Sequence, residues 1–295
     1  MYMQRNEIII NEMDVGSFFF DGMTLAVGEP APMSLVRILL KQDIKNLTLI
    51  GSGIAADLLI ASGRVGKIIT YIAAGSPGTP ILPFYRKAVE NGDVDVWECD
   101  EGILTTGLEA AGKGLPFLPC RGGIGTSIPD LNKNIRVFRD PIKNQKLIAV
   151  PALAPDLTIL HADKSDVFGN IQHCRGPGWL DLFLWRAAKK SIIQVEKIVS
   201  NEEIRSDPWA TTISSPDGLI SQMWGAHPLY SRGNYIVDKV LMDKYFALAV
   251  DAVKKNCRQA YDKFVDEIFL TPKTHNDYLD KIGIKNLSAL TEYPL

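Results

Sequence analysis

Short apolar, β-branched runs alternate with stretches of helical periodicity along most of this chain, and that alternation restricts its architecture more than any other feature. The runs at 23–27, 47–50, 67–72, 94–97, 146–150, 157–161 and 191–195 predict strands. Most are apolar at successive positions instead of every second one, as expected of strands covered on both faces. Helical spacing fills the intervals at 33–42, where Leu35, Val36, Leu39 and Leu40 share a face, and again at 55–62, 83–90, 102–113 and 180–189. The pattern implies an α/β fold, an open and mainly parallel sheet with helices on both faces and right-handed crossovers. Ligands of such sheets bind beyond the carboxyl ends of the strands, so function is to be sought in the loops that follow them.

Beyond residue 200 the texture changes. Residues 204–225 are rich in Ser, Thr, Pro and Asp and predict long connections. Residues 235–269 then predict helix, with Val237, Val240, Leu241, Tyr245, Leu248, Ala249 and Ala252 on one stripe. The expected organisation is one domain over 1–295, with an α/β core at 1–200 and an irregular segment and helical tail at 201–295 packed on it. A net charge of −2 gives no electrostatic case for nucleic acid or an anionic membrane. No apolar run approaches the roughly 20 residues that span a bilayer, and the start carries no basic segment leading to a cleavage site. Cys99, Cys120, Cys174 and Cys257 are scattered without a C-x-x-C pair, which predicts reduced thiols in a cytoplasmic protein. No bound metal is expected. His161-Ala-Asp163 and His173-Cys174 are the close ligand-type groupings, and neither has a third ligand at fixed spacing.

Three loops carry candidate chemistry. In Leu115-Pro-Phe-Leu-Pro-Cys-Arg-Gly-Gly-Ile-Gly-Thr126, Gly122, Gly123 and Gly125 bare the backbone, so amides can approach a ligand closely. Arg121 and Thr126 add a charge and a hydroxyl beside them; a tight turn between two elements would explain the same glycines. Glu101 follows a strand and opens a helix. It is placed to act as nucleophile or base, or simply to complement the helix dipole. Gly51-Ser-Gly53-Ile-Ala-Ala56 is shaped like a dinucleotide fingerprint, but no acidic residue follows between Asp57 and Glu90, where a ribose hydroxyl would need one. No nicotinamide cofactor is therefore expected, and a strand-to-helix turn explains the glycines. The polar stretch at 163–170 predicts a rim loop, Gly176-Pro-Gly178 a structural turn, and His227 a hydrogen-bonded loop histidine. Neither a Gly-x-Ser-x-Gly elbow nor a Walker loop is present.

Taken in order, these segments resemble the alpha (A) subunit of family I coenzyme A transferases, nearest to the glutaconate CoA-transferase type. The resemblance is carried by Asp21-Gly-Met-Thr-Leu-Ala-Val-Gly28, Ile44-Lys-Asn-Leu-Thr-Leu-Ile50, Ala61-Ser-Gly-Arg-Val-Gly-Lys67 and Glu101-Gly-Ile-Leu. It continues through the glycine loop to Thr126, then Val150-Pro-Ala-Leu153, Asp166-Val-Phe-Gly-Asn170, Val195-Glu-Lys-Ile-Val199 and Gly225-Ala-His-Pro228. It implies a CoA-transferase-type fold and an active site at the junction with a homologous beta subunit, in a heterodimer, an α2β2 heterotetramer or a larger assembly. It further implies coenzyme A as substrate, in the form of an acyl-CoA, with a carboxylic or dicarboxylic acid as acceptor. In such enzymes a beta-subunit glutamate passes through an acyl anhydride to a glutamyl-CoA thioester, which splits a difficult exchange into easier covalent steps.

Two departures bear on this expectation. The family typically has Gly-Gly-Phe after the first strand, whereas this chain has Gly28-Glu29-Pro30-Ala-Pro-Met33. Gly28 and Glu29 thus join the expected substrate-contacting residues, with an altered substrate shape. Glu101 also falls where the partner would place its nucleophile. Some members of the group are hydrolases that open a ring or cleave a carbon–carbon bond in a CoA thioester, with an alpha-subunit glutamate at this position as catalyst. A scaffold subunit that contributes loops and no chemical group is the third alternative.

Overall fold

The computed structural model describes residues 6–75 and 81–291. Its strands are β1 (Thr24–Val27), β2 (Leu47–Ile50), β3 (Val65–Ile69), β4 (Asp95–Val96), β5 (Phe117–Cys120), β6 (Arg136–Arg139), β7 (Lys146–Pro151), β8 (Leu157–Ser165), β9 (Asn170–Gln172), β10 (Ser191–Ile198), β11 (Thr211–Ser214) and β12 (Gly218–Ser221). The helices are α1 (Glu12–Val15), α2 (Met33–Leu40), α3 (Gly53–Ala61), α4 (Pro83–Asn91), α5 (Glu101–Gly112), α6 (Ile128–Leu131), α7 (Asp181–Ala187), α8 (Asn201–Ser206), α9 (Lys239–Lys255), α10 (Gln259–Val265), α11 (His275–Ile282) and α12 (Ile284–Ala289).

Parallel pairing joins β12, β10, β8, β1, β2, β3 and β4 in that spatial order; β9 adds antiparallel to the carboxyl end of β8, and β11 pairs antiparallel with β9. The unbroken apolar strand runs follow from burial on both faces. Leu25, Leu49 and Ile68 enter one core with α2, α3 and α4, whereas Ala26, Ile50 and Ile69 enter another with α5 and α7. The mainly parallel α/β sheet expected from the sequence is present.

Three expectations are corrected. Residues 146–150 do form a strand, but β7 lies outside the parallel sheet, at the centre of an antiparallel β5-β7-β6 sheet. Its Ile148 and Val150 are buried while Lys146 is exposed, the alternation of a strand covered on one side. The connections expected at 204–225 include β11 and β12, and β12 is buried because it extends the parallel sheet beside β10. The helix expected over 235–269 is not continuous. α9 stops where Asn256 turns left-handed at φ 48°, and α10 and a π-helical turn at Asp266–Leu270 follow. The tail packs on the sheet: Tyr245, Phe246, Ala249, Tyr261, Phe264 and Phe269 share a core with β1 and α2. The buried Asp57 carboxylate anchors it, accepting the Tyr245 hydroxyl at 2.9 Å and the amides of Phe84 and Tyr85 at 2.9 and 3.1 Å.

Candidate active site at the strand ends

β1, β2, β3 and β4 are parallel, so their carboxyl ends bring Glu29, Ser52, Tyr71 and Glu101 to one rim of the sheet. Between the ends of the first three lies a narrow crevice bounded by Val27, Glu29, Ile50, Ile69, Tyr71 and Leu104, with Leu180 and Leu184 of the α7 segment opposite.

The 178–181 segment fixes two of these loops. The Asp181 carboxylate accepts the Glu29 amide at 3.2 Å and the Gly178 amide at 2.9 Å. A Cβ on Gly178 would lie 2.0 Å from the Glu29 carbonyl oxygen, and one on Gly28 would lie 2.7 Å from Asp181 Oδ1, so neither position admits a side chain. Gly28 is buried and its amide donates to the Ile159 carbonyl, so it shapes the loop and its own N–H is spent. Burial pushes the Asp181 carboxyl up to about 7 against the two amides that favour its ionised form. Glu29 retains solvent contact, yet desolvation by the surrounding loops raises its carboxyl while the Arg232 charge lowers it. Trp179, on the same segment, donates its indole N–H to the Tyr71 hydroxyl at 3.0 Å and meets that ring edge-on at 5.3 Å. Burial raises the Tyr71 phenol, the Trp179 bond lowers it, and the charges of Glu29 and then Glu101 raise it. Glu29 and Glu101 therefore both act on one phenol, although they are far apart in sequence.

Glu101 is exposed on the first turn of α5. The N-cap is its neighbour Asp100, whose carboxylate accepts the Ile103 amide at 2.7 Å, so the capping role needs nothing from the Glu101 side chain. Cys99, the adjacent thiol, is pushed up to about 12 by burial and by the Asp100 and Glu98 charges, which keeps it from serving as a thiolate near neutral pH.

The glycine loop leaves β5 and returns to the same helix start. A Cβ on Gly122 would lie 3.0 Å from Asp100 Oδ2, and one on Gly123 3.0 Å from Ile103 Cδ1, with Gly123 already at φ +76°. Gly125 is exposed with open space around it. The Thr126 hydroxyl is used inside the loop, donating to the Gly123 carbonyl at 2.8 Å and accepting the Ile128 amide at 3.2 Å. Arg121 is exposed, and its guanidinium has no ion pair among the described residues.

The description "Coenzyme A transferase" fits residues 13–216 of the sequence, more than half of its length. The chain belongs to the coenzyme A transferase family. It is 29% identical to the A subunit of the glutaconate CoA-transferase of Acidaminococcus fermentans, over 95% of this chain and 93% of that protein. The crystal structure of that glutaconate coenzyme A-transferase superposes with a TM-score of 0.88, covering 98% of this chain and 96% of that one at 27% identity. It is 31% identical to the cholesterol ring-cleaving hydrolase IpdA subunit of Rhodococcus jostii over 83% of this chain and 86% of that protein. An Archaeoglobus fulgidus protein is 31% identical over 96% of this chain, which spans 65% of its length.

Other sequence candidates have structural explanations. Gly53 takes φ +63° where β2 turns into α3, the strand-to-helix turn expected of it. His227 is fully buried, bonded to the Tyr278 hydroxyl at 2.6 Å and to Asp238 at 3.2 Å. Part of the stretch at 163–170 is strand, with β8 continuing through Asp163 to Ser165. Asp163 is buried and accepts the Cys174 amide at 2.6 Å. Among the described residues no group of three His, Cys, Asp or Glu could hold a metal. Likewise, no described helix is long and apolar enough to cross a membrane. Sequence reasoning missed Tyr71, Trp179 and Asp181. The position of Tyr71 at a strand end was the one available signal for it, and Asp181 was hidden inside a helical pattern.

Proposed function

We propose that this chain is the A subunit of a heteromeric, cytoplasmic CoA-transferase that moves CoA between an acyl-CoA thioester and a small carboxylic or dicarboxylic acid. A homologous B subunit supplies the glutamate that becomes the glutamyl-CoA thioester, in a heterodimer, an α2β2 heterotetramer or a larger assembly. The observation that carries this reading is near-complete coverage, in sequence and in fold, of the A subunit of a glutaconate CoA-transferase. A cytoplasmic setting is supported by four cysteines that are all free thiols.

The site geometry suits acyl exchange. Attack on a thioester places negative charge on its carbonyl oxygen, and preorganised main-chain amides stabilise that charge best where water is excluded. Gly123 and Gly125 offer such a backbone beside the positive end of α5, while the Gly122 amide donates to Cys120 Sγ at 3.2 Å and holds the loop's entry. Arg121 then contacts a substrate carboxylate or a CoA phosphate, Thr126 keeps the loop in shape, and Gly28 and Glu29 line the acyl side.

A hydrolase reading is favoured by one observation. Glu101 stands exposed at the site, free of the cap role, in a chain 31% identical to a ring-cleaving hydrolase subunit. Incubating the A–B complex with an acyl-CoA in water, with and without an acceptor acid, separates the two. CoA transfer that requires the acceptor supports the transferase; product formation without it overturns that reading in favour of the hydrolase.

A further inference from the structure

Core side chains fill the crevice at the ends of β1, β2 and β3 and leave it about 10 Å³, room for roughly one water. A substrate therefore lies across the rim above it, and the polar atoms that reach the rim decide what it meets. Tyr71, at the end of β3, supplies one of them. Its ring is half-buried and edge-on to Trp179 at 5.3 Å, and its hydroxyl accepts the Trp179 indole N–H at 3.0 Å. An indole N–H can only donate, so this bond occupies a lone pair of the phenol and leaves the phenol's own proton to be given. Among the described residues no oxygen accepts that proton. The Thr70 hydroxyl beside it is turned away to the Ile72 carbonyl at 2.7 Å.

We infer that the Tyr71 hydroxyl donates a hydrogen bond to the carbonyl oxygen of the bound thioester, and that Trp179 is the positioning residue that holds the phenol for it. The inference rests on the proposed function and adds a residue to its chemistry. When the partner's glutamate attacks, a carboxylate oxygen bonds to the acyl carbon and the carbonyl π pair moves onto the carbonyl oxygen. That pair returns as the carbon–sulfur bond breaks and CoA leaves as a thiolate; Tyr71 keeps its proton throughout. A donor already in place strengthens its bond as charge develops on the oxygen, which is stabilisation specific to the transition state. Accepting the indole N–H polarises the phenol and strengthens its own donation. The edge-on ring contact and the strand end beneath hold it in one orientation. The Glu29 and Glu101 charges oppose ionisation of Tyr71, so it stays a neutral donor where a phenolate would repel the oxyanion. Glu101 also opens α5, whose cap Asp100 abuts Gly122, so the phenol and the Gly123 and Gly125 amides are gathered about one helix start.

The test measures acetyl-CoA formation by the A–B complex, with butyryl-, glutaryl- and succinyl-CoA as donors and acetate as acceptor, and follows the fastest donor. Tyr71→Phe removes only the hydroxyl and is expected to lower kcat about tenfold or more, with KM for the donor within about threefold of wild type. Trp179→Phe keeps a ring against Tyr71 without the N–H and is expected to lower kcat several-fold at constant KM. The double variant is expected to be no slower than Tyr71→Phe, because the indole acts only through the phenol. Unchanged kcat in Tyr71→Phe, or a loss confined to KM, overturns this inference and leaves the transferase reading intact. Losses that multiply in the double variant overturn the positioning role of Trp179. Should Tyr71→Phe fail to assemble with the B subunit, Trp179→Phe decides: a several-fold fall in kcat supports the inference and an unchanged kcat overturns it. Absence of acetate-dependent transfer from all three donors by the wild-type complex removes the transferase reading, and this inference falls with it.

Discussion

The Asp181 carboxylate holds the Glu29 amide at 3.2 Å across 152 positions of sequence. That contact joins the start of α7 to the loop after β1, and the same carboxylate closes the Gly178 turn. A buried acceptor with two main-chain donors is expensive to remove, because the donors left behind are unsatisfied. Asp181→Ala is therefore expected to cost about 2 kcal/mol of stability in urea unfolding. In the assembled enzyme it should also raise KM for acyl-CoA, since the Glu29 loop loses its tether. Asp181→Asn retains one acceptor oxygen and should fall between wild type and alanine in both measurements.

Glu196 provides a pH test with a definite sign. It is buried, accepts the Tyr235 hydroxyl at 2.7 Å and the Trp224 amide at 2.6 Å, and burial pushes its carboxyl up to about 7 from an ordinary 4.5. A raised carboxyl binds its proton more tightly folded than unfolded. Its contribution to stability is therefore full below pH 4.5 and declines as pH rises toward 7. The slope is at most about 1.4 kcal/mol per pH unit. The stability difference between wild type and Glu196→Gln should accordingly shrink from pH 5 to pH 8 in parallel urea titrations. A gap that widens over that range contradicts the assignment.

The glycine loop separates packing from backbone strain. Gly125→Ala meets open space and carries only the penalty of φ +86°, about 1 kcal/mol. Gly123→Ala adds to a similar φ a contact 3.0 Å from Ile103 Cδ1, and should destabilise the protein more than Gly125→Ala in thermal melts. Both should lower turnover by the complex if the loop amides receive the thioester oxygen. Unchanged kcat in both variants would remove the loop from the site.

Exposed Glu101 allows a clean substitution. Glu101→Gln should change stability by less than about 0.5 kcal/mol, because the side chain is on the surface and Asp100 carries the cap. Acceptor-dependent CoA transfer should persist within a few-fold if, as proposed, the nucleophile belongs to the partner subunit. Loss of transfer by about a hundredfold or more would assign the chemistry to this carboxylate.

Arg121→Ala should raise KM for the acyl-CoA or the acceptor acid without lowering the melting temperature. No ion pair of its guanidinium among the described residues is sacrificed by the change. A lower melting temperature with unchanged KM would mark a structural role instead.

Much of this molecule was written in local sequence. The run Leu47-Thr-Leu-Ile50, with its last two positions both apolar, announced a strand covered on both faces, and Leu49 and Ile50 do enter opposite cores. Strand-to-helix alternation gave the parallel sheet, and its carboxyl ends gave the rim on which Glu29 and Glu101 sit. Local signals failed where burial was one-sided or strands were short. Pro116 and Pro119 masked β5, and four residues were too few to reveal β12 inside a polar stretch. No periodicity could show that Asp181 reaches Glu29, that Trp179 bonds Tyr71, or that Gly122 abuts Asp100. Pairings between distant segments are fixed only when the whole chain closes on its cores, because their energy comes from partners that sequence neighbours do not supply. The sequence determined which loops stand at the carboxyl-end rim of the sheet; tertiary packing decided which of their atoms face one another.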